Sequence, residues 1–311
     1  MESKTHTKAV AAAASANILV GLSFMFAKVA LGSADAFILL SVRFAIAFAL
    51  NNILIAVGYG KLDLKGKNLT KLIIMGIAQP FFYHFFEALG INRSSSVLAG
   101  IMNAIIPVCT TAVSALVLKE SPTKKQAFFA CFSLLFVILV TLGDGDAGNV
   151  TLPGFLLLSV CVASGSTFST LSRVTSGDFS AFERTYMMVA IGFVGFMALA
   201  LIKFGEGYPA AVAEAFKDPN FTFPLLYLSV VTTTFSLILF NYATTHLDLV
   251  KASSFSNLGT VVSVAVGAIF LREALSPLQI VFVALIMAGV YGVNISGKKP
   301  AEAETPKPQG P

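Results

Sequence analysis

The sequence carries little charge for its length. Only 12% of its 311 residues are Asp, Glu, Lys or Arg, whereas 56% are hydrophobic and the mean hydropathy is +0.82. A soluble domain usually has roughly 25% charged residues, so this chain lacks the charge to cover a water-facing surface. The net charge of +5 does not indicate a nucleic-acid partner, because the basic residues fall in short connections between apolar runs. The composition predicts a polytopic membrane protein.

Other residue types are scarce as well. With three His, three Cys and almost no Asp inside the apolar runs, we expect no metal site and no intramembrane enzyme. No Walker A sequence is present, so ATP-driven transport by this chain is disfavoured and no cofactor is expected. Cys109, Cys131 and Cys161 are odd in number and lie in apolar runs, which predicts buried packing residues rather than disulfides.

Ten apolar segments meet or approach the length of about 20 residues that crosses a bilayer. They cover residues 9–31, 36–58, 69–91, 95–118, 124–143, 152–172, 181–203, 221–245, 250–271 and 277–296. The longest connection, 204–220, contains AAVAEAF and predicts a short interfacial helix. Residues 1–8 precede the first segment, and the Pro-, Lys- and Glu-rich tail 297–311 is predicted to be disordered. The predicted fold class is an all-α membrane protein with ten transmembrane helices.

The basic residues are distributed unevenly between the two sides of this arrangement. With the N-terminus inside, fourteen Lys and Arg fall on the cytoplasmic side and four on the outer side. Under the positive-inside rule both termini are therefore expected in the cytoplasm, which requires an even number of spans. We expect a multi-pass protein of the cell's inner or plasma membrane.

One sequence pattern occurs twice, at a separation of 153 residues: LVLKESPTKKQ (116–126) and IFLREALSPLQ (269–279). Each copy has a glutamate, a hydroxyl residue three positions later and a glutamine three beyond, and the last two can form a capping box. These residues are Glu120, Thr123 and Gln126 in the first copy and Glu273, Ser276 and Gln279 in the second. Five helices separate the copies, so they face opposite sides. This predicts two inverted five-helix repeats, 9–147 and 148–296, around a central cavity.

On these residues the chain resembles the drug/metabolite transporter superfamily, EamA type. The stretches that carry the resemblance are VRFAIAFAL (42–50), SSSVLAGIMNAIIPV (94–108) with LKES (118–121), and VKASSFSNLGTVVSV (250–264) with LREALSP (271–277). Thr260 stands where such proteins often have a proline, as the first half has at Pro107, and this leaves a kink in the ninth helix open. The resemblance implies a ten-helix transporter of small metabolites, typically an exporter or exchanger, whose cavity opens alternately to each side.

Ionisable side chains inside the predicted spans are few, and such groups usually face a cavity or a partner. Lys28, Arg43, His84 and Glu87 are predicted to lie at similar depths in the outer half of the membrane. Arg43 and Glu87 are predicted to form an ion pair there. That pair could be purely structural, and Lys28 could instead reach the headgroups. Glu183 and Arg184 lie at the start of the seventh helix, near the cytoplasm. They are predicted either to form a polar cluster at an inner gate or simply to be the solvated ends of a loop. The gate or coupling candidates are Lys28, Arg43, His84, Glu87, Glu183 and Arg184.

Neutral polar residues gather near the predicted midplane, and an aromatic residue of the seventh helix joins them. Together they predict a substrate cavity, although each could instead join two helices, worth about 0.6 kcal/mol per contact. The cavity candidates are Asn17, Gln79, Tyr83, Asn103, Ser164, Ser166, Tyr186, Asn241, Tyr242 and Asn257.

These observations favour a secondary transporter, an exporter or exchanger of small polar or amphipathic metabolites such as amino acids or their derivatives. Two alternatives stay open: a metabolite importer coupled to protons, and a ligand-sensing membrane protein without active translocation. The expected partners are a small-molecule substrate and the lipid bilayer. Small residues at Ala284, Ala288 and Gly292 permit close packing either within the molecule or in a homodimer.

Overall fold

The computed structural model describes residues 2–118, 123–142, 151–247, 252, 255–272 and 276–296. All regular secondary structure in that part of the chain is helical. The main helices are α1 Glu2–Ser33, α2 Ala36–Ala56, α3 Thr70–Asn92, α4 Ser96–Asn103 continuing as Ile106–Leu118, α5 Lys124–Leu142, α6 Leu152–Thr175, α7 Ala181–Phe204, α8 Pro219–His246, α9 Ser256–Phe270 and α10 Pro277–Ile295.

Seven helical stretches in the described part are long and apolar enough to cross a membrane. They are Thr5–Ser33, Ala36–Ala56, Thr70–Asn92, Ser96–Val113, Leu152–Thr175, Ala181–Ala215 and Pro219–His246, with shorter apolar helices at Ser256–Phe270 and Ile280–Gly292. Large apolar side chains such as Ile202 and Phe128 face outward, 81% and 64% exposed. An outer surface of this kind suits lipid rather than water. The molecule is a multi-pass membrane protein.

The helices pack in a regular set of pairs. α5 lies along α10, α2 lies along α7, and α4 packs against α9. Helix α1 packs against α8 and α9, and α6 packs against α3 and α4; α3 also packs against α7, and α2 against α8. Helices α1 and α6 therefore stand near the centre of the bundle.

Close approach of α9 to its neighbours depends on two glycines. A Cβ atom on Gly21 of α1 would lie 2.4 Å from the carbonyl oxygen of Gly259, and one on Gly100 of α4 would lie 2.4 Å from Ser263 Oγ. Thr260 Oγ1 donates a hydrogen bond to the Gly100 carbonyl at 2.9 Å. Where a proline was expected, this threonine therefore joins α9 to α4.

Two local predictions from the sequence are confirmed at helix starts and connections. At α5 the Thr123 amide donates to Gln126 Oε1 at 2.9 Å and the Gln126 amide donates to Thr123 Oγ1 at 3.1 Å, which is the predicted capping box. A short helix, Tyr208–Ala215, fills the long connection after α7. Glu120, Glu273 and the side chain of Gln279 lie outside the described residues.

The cysteines are free, and they do not share one environment. Cys161 is buried and Cys109 is half-buried, as predicted for packing residues. Cys131 is exposed on the outside of the bundle, so the prediction of a buried residue was wrong there. A cysteine in an apolar run can face either the bundle or the lipid, and hydropathy alone does not distinguish the two.

Candidate functional site

Helices α3 and α4 are both interrupted near their middles. In α3, Gln79 has an extended backbone (φ −143°, ψ 121°) immediately before Pro80. In α4, Ala104 and Ile105 form a turn before Pro107. Since proline has no N–H group, Pro107 cannot donate the helical hydrogen bond to the carbonyl of Asn103. Backbone polar groups are thus released from helical bonding in the interior of the bundle.

A cavity of about 70 Å³ lies at these interruptions. Six helices contribute to its wall: α1, α3, α4, α6, α8 and α9. The lining residues are Ala16, Asn17, Val20, Gln79, Tyr83, Asn103, Ile106, Gly165, Phe168, Ser169, Ser236, Leu237, Phe240 and Ser256.

None of these lining residues is charged, and the wall combines amides and hydroxyls with aromatic rings. The rings of Phe168 and Phe240 lie 5.4 Å apart between centroids and form an apolar part of the wall. Among the polar groups, Asn103 Nδ2 donates to the Ser256 carbonyl at 3.4 Å. Ser256 Oγ is buried without a hydrogen-bond partner. This wall can hold a small uncharged or internally neutral molecule by hydrogen bonds and ring contacts.

Four of the ten cavity candidates line this cavity: Asn17, Gln79, Tyr83 and Asn103. Asn17 Nδ2 donates to the Ala13 carbonyl at 2.8 Å, which fixes the orientation of its amide. Gln79 projects from the non-helical residue of α3. These four residues come from α1, α3 and α4.

The other candidates lie elsewhere. Asn241 donates to Thr185 Oγ1 at 2.9 Å in a buried contact between α8 and α7. Ser166 Oγ bonds within α6 to the Val162 carbonyl at 2.7 Å. The remaining candidates, also outside the cavity wall, are Ser164, Tyr186, Tyr242 and Asn257.

Sequence reasoning missed several lining residues of α6, α8 and α9. Gly165 lies between the two predicted serines of α6, and Ser256 precedes the predicted Asn257. One residue turns a side chain by about 100° around a helix. On α6 and α9 the predicted residues therefore have nearly the correct depth in the membrane, but their side chains lie on a different face of the helix from the cavity. The hydroxyl-rich run TTTFS ending at Ser236 was a signal that could have been used.

A buried group of ionisable residues lies toward the α3 C-terminus. Glu87 Oε2 lies 2.6 Å from His84 Nδ1, and both side chains are almost completely buried. Arg43 of α2, 2% exposed, donates from Nε to Thr233 Oγ1 of α8 at 2.7 Å. The predicted direct pair between Arg43 and Glu87 is therefore replaced by two other contacts. Arg43 Nη2 is buried with no hydrogen-bond partner.

A second, much smaller cavity of about 10 Å³ lies against Glu87. Tyr83, Asn103 and Ile106 line both cavities and so form the layer between them. The volume of this small cavity is about the minimum that holds one water molecule. Cys161 also lines it.

Lys28 is engaged with protein rather than extended toward headgroups. Its Nζ atom donates to the carbonyls of Ile91 at 2.8 Å and Ser94 at 2.6 Å, at the C-terminal end of α3. A cation there stabilises carbonyl groups that have no helical partner.

The candidates at the start of α7, Glu183 and Arg184, are buried rather than solvated. Glu183 accepts from the Ser180 amide at 2.7 Å, completing a capping box on α7, and lies 3.3 Å from Lys67 Nζ. Arg184, 0% exposed, donates to groups on α6 and α8. Its partners are the carbonyls of Ser172 and Asn241 and the hydroxyls of Ser172, Thr244 and Thr245. Both residues fasten helices at that end of the bundle.

Comparison with known proteins gives consistent relatives. The model of the EamA-like transporter family matches residues 7–142 and 152–295. The uncharacterized transporter YcxC of Bacillus subtilis (strain 168) is 35% identical over 94% of this chain and 95% of its own length. An uncharacterized transporter of Archaeoglobus fulgidus is 24% identical over 87% of this chain and 93% of its own length.

A protein of known crystal structure has the same fold, with a TM-score of 0.62 at 19% identity over 94% of this chain and 98% of the other. The helical bundle, the apolar exterior and both family matches agree with one another. The chain belongs to the EamA-like transporter family, within the drug/metabolite transporter superfamily.

Proposed function

We propose that this protein is a secondary transporter, an exporter or exchanger, of small polar or amphipathic metabolites such as amino acids or their derivatives. The observation that carries the proposal is the cavity at the interrupted helices α3 and α4, lined by amides, hydroxyls and rings. Discontinuous helices at a central cavity are the usual construction of substrate sites in secondary transporters. The protein acts as a carrier and not as an enzyme.

The proposed architecture is ten spanning helices in two inverted halves, 9–147 and 148–296. Two findings support it. The family model matches once in each half. The helix packing also repeats between the halves when each helix of α1–α5 is matched with the helix five later. The contacts of α1 with α8 and α9 then correspond to the contacts of α6 with α3 and α4. Three further contacts each join a helix to its equivalent in the other half: α2 with α7, α4 with α9 and α5 with α10.

In the proposed orientation both termini are cytoplasmic in the cell's inner or plasma membrane. The cavity then extends from the midplane toward the cytoplasm, since it involves the later parts of α6 and α8 and the first residue of α9. The outer half is filled by the buried group around Glu87. Rocking of one half against the other would open the outer side and close the inner side, which gives alternating access.

Counterflow in liposomes tests the proposal. Purified protein is reconstituted into vesicles loaded with an unlabelled amino-acid mixture, and uptake of a trace of the ¹⁴C-labelled mixture is followed. A carrier gives faster uptake into loaded than into empty vesicles, whereas a ligand sensor gives none. Equal uptake into loaded and empty vesicles would reject the carrier.

A pair of glycine variants links this activity to the cavity. Gly165 lines the cavity, and a Cβ there already meets Ile106 Cδ1 at 3.1 Å, so Gly165→Val should fill part of the cavity and reduce counterflow at least about tenfold. Gly177→Val is the matched control, because nothing lies within 4 Å of a Cβ there. Equal counterflow by both variants would place the substrate elsewhere.

A further inference from the structure

The arrangement around Glu87 leaves one buried charge incompletely paired. Glu87 contacts His84, while Nη2 of Arg43 has no partner although the guanidinium is 2% exposed. A buried donor without an acceptor is costly, and such a group in a functional protein calls for an explanation. Helix α2 packs against the part of α3 that carries His84 and Glu87, and the ring of Phe44, next to Arg43, lies 5.6 Å from the His84 ring, so Glu87 is the nearby acceptor that could satisfy Nη2 in another conformation.

We propose that Glu87 exchanges partners between His84 and Arg43 as the His84–Glu87 pair gains and loses one proton, and that this exchange couples cargo movement to H⁺. The inference deepens the proposed function and rests on it. In the protonated state a proton taken from water is held between the imidazole and the carboxylate, whose Nδ1 and Oε2 atoms lie 2.6 Å apart. When that proton returns to water, neutral His84 and a carboxylate remain, and Nη2 of Arg43 neutralises the carboxylate.

Two neighbouring cavities lie beside the residues that would carry the proton. The small cavity against Glu87 has room for about one water molecule. Tyr83, Asn103 and Ile106 line both this cavity and the larger one and therefore stand between them. Tyr83 is one helical turn before Glu87 on α3, and its position links cargo in the large cavity to the carboxylate behind it.

The ionisable groups near Glu87 in the described part come from α1, α2, α3 and α6, whereas α4, which also packs there, contributes only neutral residues. Four of these groups surround Glu87, and Lys28 of α1 contacts the C-terminal end of α3. The ionisable groups are His84 and Tyr83 of α3, Arg43 of α2, Cys161 of α6 and Lys28 of α1. Histidine is the residue type among them that commonly exchanges a proton near neutral pH, and Arg43 is the alternative cationic partner of Glu87.

The transport test compares two assays on the same proteoliposomes with the ¹⁴C amino-acid mixture. The first is counterflow at equal pH; the second is accumulation driven by a gradient between about pH 6 and about pH 8, a range in which histidine titrates. The native protein should accumulate label at least about fivefold more with the gradient in one direction than at equal pH. In Glu87→Gln the ratio of driven to undriven accumulation should fall to one. Glu214→Gln, which removes an exposed carboxylate paired with Lys217, should keep the native ratio.

The outcomes separate the two proposals. No counterflow by the native protein overturns the proposed transport function. Counterflow without gradient-driven accumulation overturns the coupling alone, as does a native ratio in Glu87→Gln.

A second measurement covers the case in which Glu87→Gln transports nothing. The chain has only three histidines, so ¹³C-labelled histidine gives three assignable NMR signals, with His84 identified by its loss in His84→Gln. The His84 signal should titrate in the native protein, and its midpoint should move by at least about one pH unit in Glu87→Gln. An unchanged His84 titration would overturn the exchange of partners.

Discussion

Two buried arginines of this protein differ in how completely their donors are used. Arg184 donates to carbonyls and hydroxyls on α6 and α8, whereas Arg43 has one bond to Thr233 and a free Nη2 atom. A fully bonded buried guanidinium stabilises the helices that it joins. A partly bonded one destabilises the state in which it is found. The two residues therefore predict opposite consequences of replacement.

Replacement of Arg184 should destabilise the fold. In Arg184→Ala the buried carbonyls of Ser172 and Asn241 lose donors from this side chain, and the expected cost is about 3 kcal/mol. A lower apparent Tm of the purified protein in detergent checks it. Arg93→Ala, at an exposed position, is the control and should leave the Tm unchanged. A native Tm for Arg184→Ala would contradict a fastening role.

Replacement of Arg43 should act on transport instead. Arg43→Ala removes one hydrogen bond to Thr233 together with a buried unpaired donor, so the two effects on stability oppose each other. We expect normal membrane insertion, an apparent Tm close to that of the native protein and loss of counterflow. Normal counterflow would assign Arg43 an incidental role, and loss of the folded protein would assign it a structural one.

The site shows what single residues reveal before a structure is known. Polar residues inside a span give depth, because each residue rises 1.5 Å along the helix; this identified Asn17, Gln79, Tyr83 and Asn103 of the cavity wall. The face of a helix is set by its rotation against several neighbours at once. Apolar residues cover both the lipid side and the core side here, so hydropathy gives no rotation. Tyr186 consequently faces Asn52, with its hydroxyl 3.2 Å from Oδ1, rather than the cavity.

At the scale of helices, the crossing of α1 and α9 borders the cavity through Asn17 and Ser256. Gly21→Ala would place a methyl group 2.4 Å from the Gly259 carbonyl oxygen, which belongs to backbone and cannot move aside freely. We expect a loss of about 1–3 kcal/mol, seen as a lower apparent Tm, with reduced counterflow. Gly32→Ala in the same helix has open space and should change neither. Equal stability of the two variants would show that α1 and α9 are farther apart.

The extents of the helices were largely predictable. The segments 36–58, 69–91 and 181–203 correspond to Ala36–Ala56, Thr70–Asn92 and Ala181–Phe204, because polar or Gly/Pro-bearing connections separate long apolar runs. The interruptions were less predictable. Pro80 and Pro107 marked where bonding is lost, but the extended backbone of Gln79 depends on its neighbours in the bundle.

At the scale of the whole molecule, function depends on which way the cavity faces. The cavity and the buried group around Glu87 occupy successive depths between the two ends of the bundle. With cytoplasmic termini, the cavity lies on the cytoplasmic side of the Glu87 region. The opposite orientation would reverse the direction in which proton and cargo gradients act, although no contact within the protein would change.

Cysteine labelling decides between these orientations. At Gly32, Gly177 and Gly207 a Cβ atom would have nothing within 4 Å, and none of the three has a positive φ, so cysteine fits each site without displacing a neighbour. In a background with the three native cysteines replaced by serine, a membrane-impermeant maleimide added to intact cells should label Gly32→Cys and Gly207→Cys. It should label Gly177→Cys only after the membrane is permeabilised. Because fourteen basic residues against four set this expectation, the reverse labelling would show that the charge bias does not determine the topology, and the cavity would then lie on the outer side of the Glu87 region.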